Sequence, residues 1–187
     1  MTPRRPPRGK PVLHTDRLEL QPLTWDHLPE LTALDADEEV MRYLDRPRTP
    51  EQVSERQLAR MDPTHDAMGL GYWCGYHRGR FVGWWLLTPE GPGWAEIGWR
   101  LSRSAWGRGL ATEGARAVIE HGFTTVGLER IKGETMVANE RSRSVMVKLG
   151  MRHTRIEHRT WEDPLPGVEQ GEWLAEISRD EWLAQGS

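Results

Sequence analysis

The residues best placed to do chemistry lie in Trp106-Gly107-Arg108-Gly109-Leu110-Ala111-Thr112-Glu113. Two glycines on either side of an arginine let the backbone curl, so that successive N–H groups face one point. A helix is expected to start directly behind them and to add the partial positive charge of its N-terminus. Such a constellation takes a phosphate or pyrophosphate, and Arg108 adds a full charge. The competing reading is a glycine-softened turn before an ordinary helix. A nucleotide P-loop is excluded, because no Gly-Lys-Ser or Gly-Lys-Thr occurs. A dinucleotide fingerprint fails as well: Gly107, Gly109 and Gly114 miss the Gly-x-Gly-x-x-Gly spacing. A pyrophosphate ligand of another kind remains, with coenzyme A as the leading candidate.

Other candidates are weaker and each has a bland reading. Glu96 sits opposite Ala95, Ile97, Trp99 and Leu101 in a strand, so it is either a solvated carboxylate or a proton acceptor at a cleft. Ser142 is a proton donor, a ligand contact or a helix-start Ser bonding its own backbone. Asn139 is favoured simply as a cap. His153 and His158 fall on opposite strand faces, and no metal site is read. Cys74 reads as a small buried hydrophobe, and Trp73, Trp84, Trp85, Trp99 and Trp161 as mostly core, with one or two left over for a cleft.

The elements that must position these residues follow from periodicity. Leu18 and Leu20 alternate with polar neighbours as in a half-buried strand over 17–23. Leu28, Leu31 and Leu34 share one helical face after Thr24. Thr49, Pro50 and Gln52 form a capping box that opens a second helix. Residues 70–77 and 81–87 read as a hairpin, the second strand apolar on both faces and therefore central. A turn over 89–93, a strand over 94–101 and a helix over 109–123 come next. A strand over 131–137 and a helix over 139–149 ending at Gly150 follow, then strands over 154–161 and 172–177. Ser178 and Glu181 open a short last helix. One mixed α/β domain over 13–187 results, preceded by a basic, proline-rich lead-in over 1–12 expected to be disordered.

Composition sets the outer bounds. The 187 residues suit one domain, and 37% hydrophobic with 28% charged residues is a soluble balance. No apolar run reaches the ~18–20 residues of a membrane span, and the first residues lack the apolar stretch of a secretory signal, so the expected location is cytoplasmic. A net charge of −3 does not advertise nucleic acid, and 22 Arg against 3 Lys reads as coding bias. One cysteine excludes a disulfide framework.

The chain resembles the GNAT superfamily of N-acetyltransferases, nearest to the ribosomal-protein alanine N-terminal acetyltransferases. The family's Gln/Arg-x-x-Gly-x-Gly/Ala motif falls on 106–111, matching at Gly109 and Ala111 with Trp106 at the first position. The strand Ala95-Glu96-Ile97-Gly98-Trp99-Arg100-Leu101 resembles the family's splayed central strand, and Asn139, Ser142, Lys148 and Gly150 resemble its Asn-x-x-Ser…Lys-x-Gly helix. Thr15-Asp16-Arg17-Leu18 is also typical, and the likeness spans 13–182. The resemblance implies a mostly antiparallel splayed sheet flanked by helices, and acetyl-CoA as cosubstrate. It further implies cofactor contacts from Trp99, Leu101, Trp106, Gly107, Arg108, Gly109, Leu110, Ala111, Thr112, Asn139, Ser142 and Lys148. It makes Glu96 the candidate base and leaves Ser142 or water as the acid, because Met146 stands where relatives carry a tyrosine acid.

The expected reaction is acetyl transfer to a primary amine, in first place a protein N-terminus of the ribosomal-protein type. A small amine such as an aminoglycoside or polyamine is the alternative, and a CoA-binding module without turnover is a third reading prompted by Met146. The assembly expected is a monomer or homodimer.

Overall fold

Alternation decides the centre of the molecule. In the computed structural model, which describes residues 9–185, the strand Arg80–Gly91 is covered on both faces. Trp85 and Leu87 enter the larger core, while Trp84 and Leu86 pack with the smaller one beneath the N-terminal helices. Around it lie β1 (Leu13–His14), β2 (Glu19–Pro22), β3 (Gly71–His77), β4 (Arg80–Gly91) itself, β5 (Trp94–Leu101), β6 (Arg130–Met136), β7 (Arg152–Glu157) and β8 (Glu172–Ser178). Their order is β1-β2-β3-β4-β5-β6-β8-β7, and every pairing is antiparallel except β5 with β6. The expected mixed α/β domain with a mostly antiparallel sheet is what the chain builds.

The helices are α1 (Leu28–Asp35), α2 (Glu38–Met41), α3 (Pro50–Arg60), α4 (Pro63–Ala67), α5 (Leu110–His121), α6 (Glu140–Lys148) and α7 (Arg179–Ala184). A parallel pair needs a crossover, and α5 supplies it between β5 and β6. The pairing of these two strands runs only from Trp94↔Arg130 to Ile97↔Gly133. Beyond Ile97, β5 stays with β4, through Trp85↔Trp99 and Gly83↔Leu101, while β6 stays with β8. The strands therefore splay into a V.

Several local expectations are corrected. The short elements β1, α2 and α4 were not expected, being too brief for periodicity to show. Asp37 and Asp62 make the two helices by accepting from Glu39, Val40 and Thr64 backbone N–H groups. β4 runs on through Pro89 to Gly91, where a turn was expected, and a register shift between Pro89 and Gly91 accommodates the proline. β7 spans Arg152–Glu157 rather than 154–161, which leaves Trp161 exposed and outside the core.

Much of the lead-in, residues 1–8, lies outside the described residues. Within the remainder, Lys10 pairs with Asp66 and the Trp73 indole donates to the Pro11 carbonyl. The packed chain thus begins before Leu13. No helix among the described residues is long and apolar enough to cross a membrane.

Candidate active site

Gly107 and Gly109 have φ of +70° and +76°, which L side chains rarely adopt. Gly109 is the N-cap of α5, and the Glu113 N–H is the donor that closes the first turn onto the Gly109 carbonyl at 3.1 Å. The N–H groups of Leu110, Ala111 and Thr112 precede it and have no partner within the helix. They converge with the positive end of α5 on one side of the splay, the arrangement an anion requires.

The loop is held from outside itself. Thr15 Oγ1 and the Arg17 backbone N–H both donate to Glu113 Oε1, at 2.5 and 2.9 Å. Arg17 Nε donates to Glu113 Oε2 at 2.6 Å, and Arg17 Nη1 reaches the Arg108 carbonyl at 2.9 Å. Partial burial would raise the Glu113 carboxyl, but these Thr15 and Arg17 bonds keep it below the usual carboxylate range. Underneath, Trp85 donates its indole N–H to the Ala111 carbonyl at 3.1 Å and lies flush against Gly114. Trp106 donates to the Leu101 carbonyl at 2.8 Å, and the Arg141 guanidinium stacks 4.7 Å from its ring centre. The opening Thr15 and Arg17 and the first-turn Glu113 are thus structural supports of the loop. Sequence reasoning gave Glu113, Arg141 and Gly114 no such role, because their partners are distant in the chain.

A cleft of about 950 Å³ opens between the loop, the free edge of β5 and α6. The residues expected on the donor side gather here: Trp99 and Leu101 from β5, Trp106, Gly107 and Gly109 from the loop, and Leu110, Ala111 and Thr112 from α5. Asn139, Ser142 and Lys148 line the α6 side. The Arg108 side chain is exposed at the loop and does not form part of the cleft wall. Arg100 and the segment of Val40, Arg42, Tyr43 and Leu44 also line it, although sequence reasoning passed over them.

Along β5 the ladder alternates. The Ser102 N–H bonds back to Val82 on β4, so Leu101 and Trp99 turn their backbone groups toward the open V. The Asn139 side chain accepts from the Ser142 N–H at 3.2 Å, which makes Asn139 the cap of α6 as well as part of the wall. Met146 points the other way. It is buried with its methyl against Gly133 of β6, inside the larger core.

Glu96 stands apart from this wall. It lies one residue before the last β5–β6 pair, at the apex of the V, on the sheet face opposite Ala95 and Ile97. Lys132 Nζ is 3.7 Å away and also meets Glu90 at 2.7 Å. Burial pushes the Glu96 carboxyl above its ordinary value; Lys132 opposes this and Glu90 and Glu134 add to it. Ser142 thus shares a wall with the 106–112 loop, whereas Glu96 is not among the residues that line the cleft. Cys74 is fully buried, and burial pushes its thiol up, as suits a core residue rather than a nucleophile.

Residues 17–152 match the family model described as an acetyltransferase (GNAT) domain. A curated relative from Aspergillus fumigatus, named FsC-acetyl coenzyme A-N(2)-transacetylase, is 38% identical over 94% of this chain and 80% of its own length. Among solved structures, the ribosomal L7/L12 alpha-N-protein acetyltransferase RimL in complex with coenzyme A superposes with a TM-score of 0.78 at 18% identity, covering 92% of this chain and 99% of that one. Spermidine N-acetyltransferase from Vibrio cholerae, with CoA and spermine, gives 0.77 at 16% identity over 90% and 99%. Likenesses at this identity speak for the fold.

Proposed function

This chain belongs to the GNAT acetyltransferase family and is an acyltransferase with acetyl-CoA as cosubstrate, and for its acceptor we propose a weakly basic primary amine, in first place a protein or peptide α-amino group. Glu96 at the V apex carries the reading. Its carboxylate, even with the proton affinity raised by burial, is a mild base. An α-amino group of pKa ~8 is already neutral in roughly one molecule in ten at pH 7, whereas a lysine at ~10.4 offers about one in a few thousand. A mild base suits the first and not the second.

The residues divide the work along the cleft. The N–H groups of Leu110, Ala111 and Thr112, with Arg141 and Lys148 in the cleft wall and the exposed Arg108 swinging in from the loop's rim, hold the phosphates. The β5 edge at Trp99 and the Leu101 N–H, the Leu101 carbonyl being taken by the Trp106 indole, pair with the amides of the pantetheine arm, and an N–H there polarises the thioester carbonyl. Bound acetyl-CoA supplies the activated acetyl group. The neutral amine attacks from the Glu96 side: the C–N bond forms, the C–S bond breaks, and the amine proton passes to Glu96, directly or through water. Ser142, in the wall on the cofactor side, returns a proton to the departing thiolate.

A small-molecule amine is the second reading, favoured by the 38% identical relative, whose name assigns it an N(2) acetylation of FsC. We place the reaction in the cytoplasm, where acetyl-CoA is at hand. Acetyl-transfer profiling decides between acceptors: peptides with varied N-termini, N-blocked lysine peptides, polyamines and amino-acid derivatives are incubated with acetyl-CoA and read by mass spectrometry. Preferential labelling of α-amines is expected. Labelling of lysine side chains or polyamines at comparable rates overturns the reading.

A further inference from the structure

Behind the cleft wall lies a cluster of buried charge that acetyl transfer does not use. Asp35, at the end of α1 and fully buried, is met by Arg100 Nη1, by Arg48 Nη1 at 3.0 Å and by Arg60 Nη2 at 3.4 Å. The three arginine side chains are only 7, 8 and 9% exposed. Arg48 also reaches the half-exposed Asp45 at 2.8 Å, which is shared with the exposed Arg56. Three buried guanidiniums thus face one buried carboxylate and part of a second, which leaves positive charge in excess. Donors are idle too: Arg48 Nε, Arg60 Nη1, Arg100 Nε and Trp84 Nε1 are buried without an acceptor among the described residues. Arg60 and Arg100 both lie over the Trp84 ring, at 5.5 and 5.0 Å. Excess buried charge with unused donors is costly unless an anion completes the set.

Arg100 is the member of the cluster that lines the cleft, in whose wall it stands between Trp99 and Leu101. Strand alternation puts it on the same sheet face as Glu96, with Gly98 between them. The two are four positions apart along the strand, ~13 Å. The face therefore offers a carboxylate where the amine is to react and a cation two pleats farther out.

We propose that Arg100, backed by Arg60 and Arg48, binds a carboxylate of the acceptor, so that the substrate carries both an amine and an acid group and is oriented between Glu96 and Arg100. The proposal rests on the amine-acetylation reading for what happens at the amine. An acidic side chain following a peptide N-terminus and the carboxylate of a free amino acid offer the same chemistry.

The test is calorimetric titration of the CoA-loaded protein with two matched pairs: peptides beginning Ala-Glu and Ala-Gln, and a free amino acid with its α-amide. Wild type should bind the acid of at least one pair about ten- to hundredfold more tightly than its amide, the effect of a charged hydrogen bond; the pair that discriminates identifies the source. In Arg100→Gln that ratio should fall to about twofold or less, and in Arg100→Lys to an intermediate value, since Asp35 keeps Arg48 and Arg60 in both. Equal affinities within both pairs in wild type overturn the proposal even if neither variant folds, and so does selectivity that survives Arg100→Gln. Because this binding needs no turnover, acid-selective binding by a protein that, when incubated separately with acetyl-CoA, acetylates no member of either pair removes the amine-acetylation reading and leaves the subsite. Acetylation of acid and amide alike at equal affinity does the reverse.

Discussion

Gly114→Ala adds one methyl group where the cofactor loop meets the core. A Cβ there would lie 2.4, 2.6 and 2.9 Å from the Cε2, Cζ2 and Nε1 atoms of Trp85. The indole cannot yield cheaply, being fully buried and bonded to the Ala111 carbonyl at 3.1 Å. Overpacking of this kind costs roughly 1–3 kcal/mol, and a broken indole hydrogen bond about 1 more. Alanine's helix preference over glycine returns about 1 kcal/mol, so the net loss is about 1–3 kcal/mol. At ~2–4 °C per kcal/mol for a chain of this size, the melting temperature should fall by roughly 3–10 °C. Because Gly109 and the 106–112 loop cap α5, displacing the helix should also weaken acetyl-CoA binding. Scanning calorimetry and acetyl-CoA titration measure both. Trp85→Phe removes the colliding atoms, so in a double-mutant cycle the Gly114→Ala penalty should shrink by about 1 kcal/mol or more in that background. A Gly114→Ala protein that melts at or above wild type would show that helix preference outweighs the contact, and the reasoning fails.

Arg108→Glu should weaken acetyl-CoA binding by about ten- to hundredfold in calorimetric titration, since a carboxylate would replace a guanidinium at the phosphate loop; unchanged affinity with the fold intact would take Arg108 out of the site. Glu96→Gln should lower turnover by about two to four decades while acetyl-CoA affinity holds. Because burial raises the Glu96 carboxyl and only the ionised form accepts a proton, wild-type activity should rise with pH through a limb above the ordinary carboxylate range. Lys132→Met, removing the opposing charge, should move that limb higher, and a pH–rate profile unchanged by either substitution assigns the base elsewhere. Ser142→Ala should slow turnover by roughly tenfold to a hundredfold at saturating substrate, and an unimpaired variant would return Ser142 to a helix-start role. Met146→Tyr should destabilise by about 1–3 kcal/mol in denaturant unfolding, because the larger ring must enter a core that Met146 already fills against Gly133.

Local chemistry was legible in the sequence. The Thr49–Gln52 and Ser178–Glu181 capping boxes, the strand Trp94–Leu101 and the central apolar strand each depend on neighbours a few residues away, and the structure shows them there. The 106–112 turn was legible for the same reason: two glycines ahead of a helix curl the backbone locally, and Gly107 and Gly109 take positive φ just before α5. Met146 shows where local reading stops. Its position in the motif suggested the reacting sulfur, yet the side chain turns into the core, because α6 presents that face to Gly133 of β6. Arg17 with Glu113, Trp85 with Gly114, and Asp35 with Arg100 are pairs separated by 96, 29 and 65 residues. No periodicity or turn rule links such positions. Only tertiary packing brings them together, of the sheet against the crossover helix on one face and of α1 against β4 and β5 on the other, and that packing decides which charges are buried and which are paired.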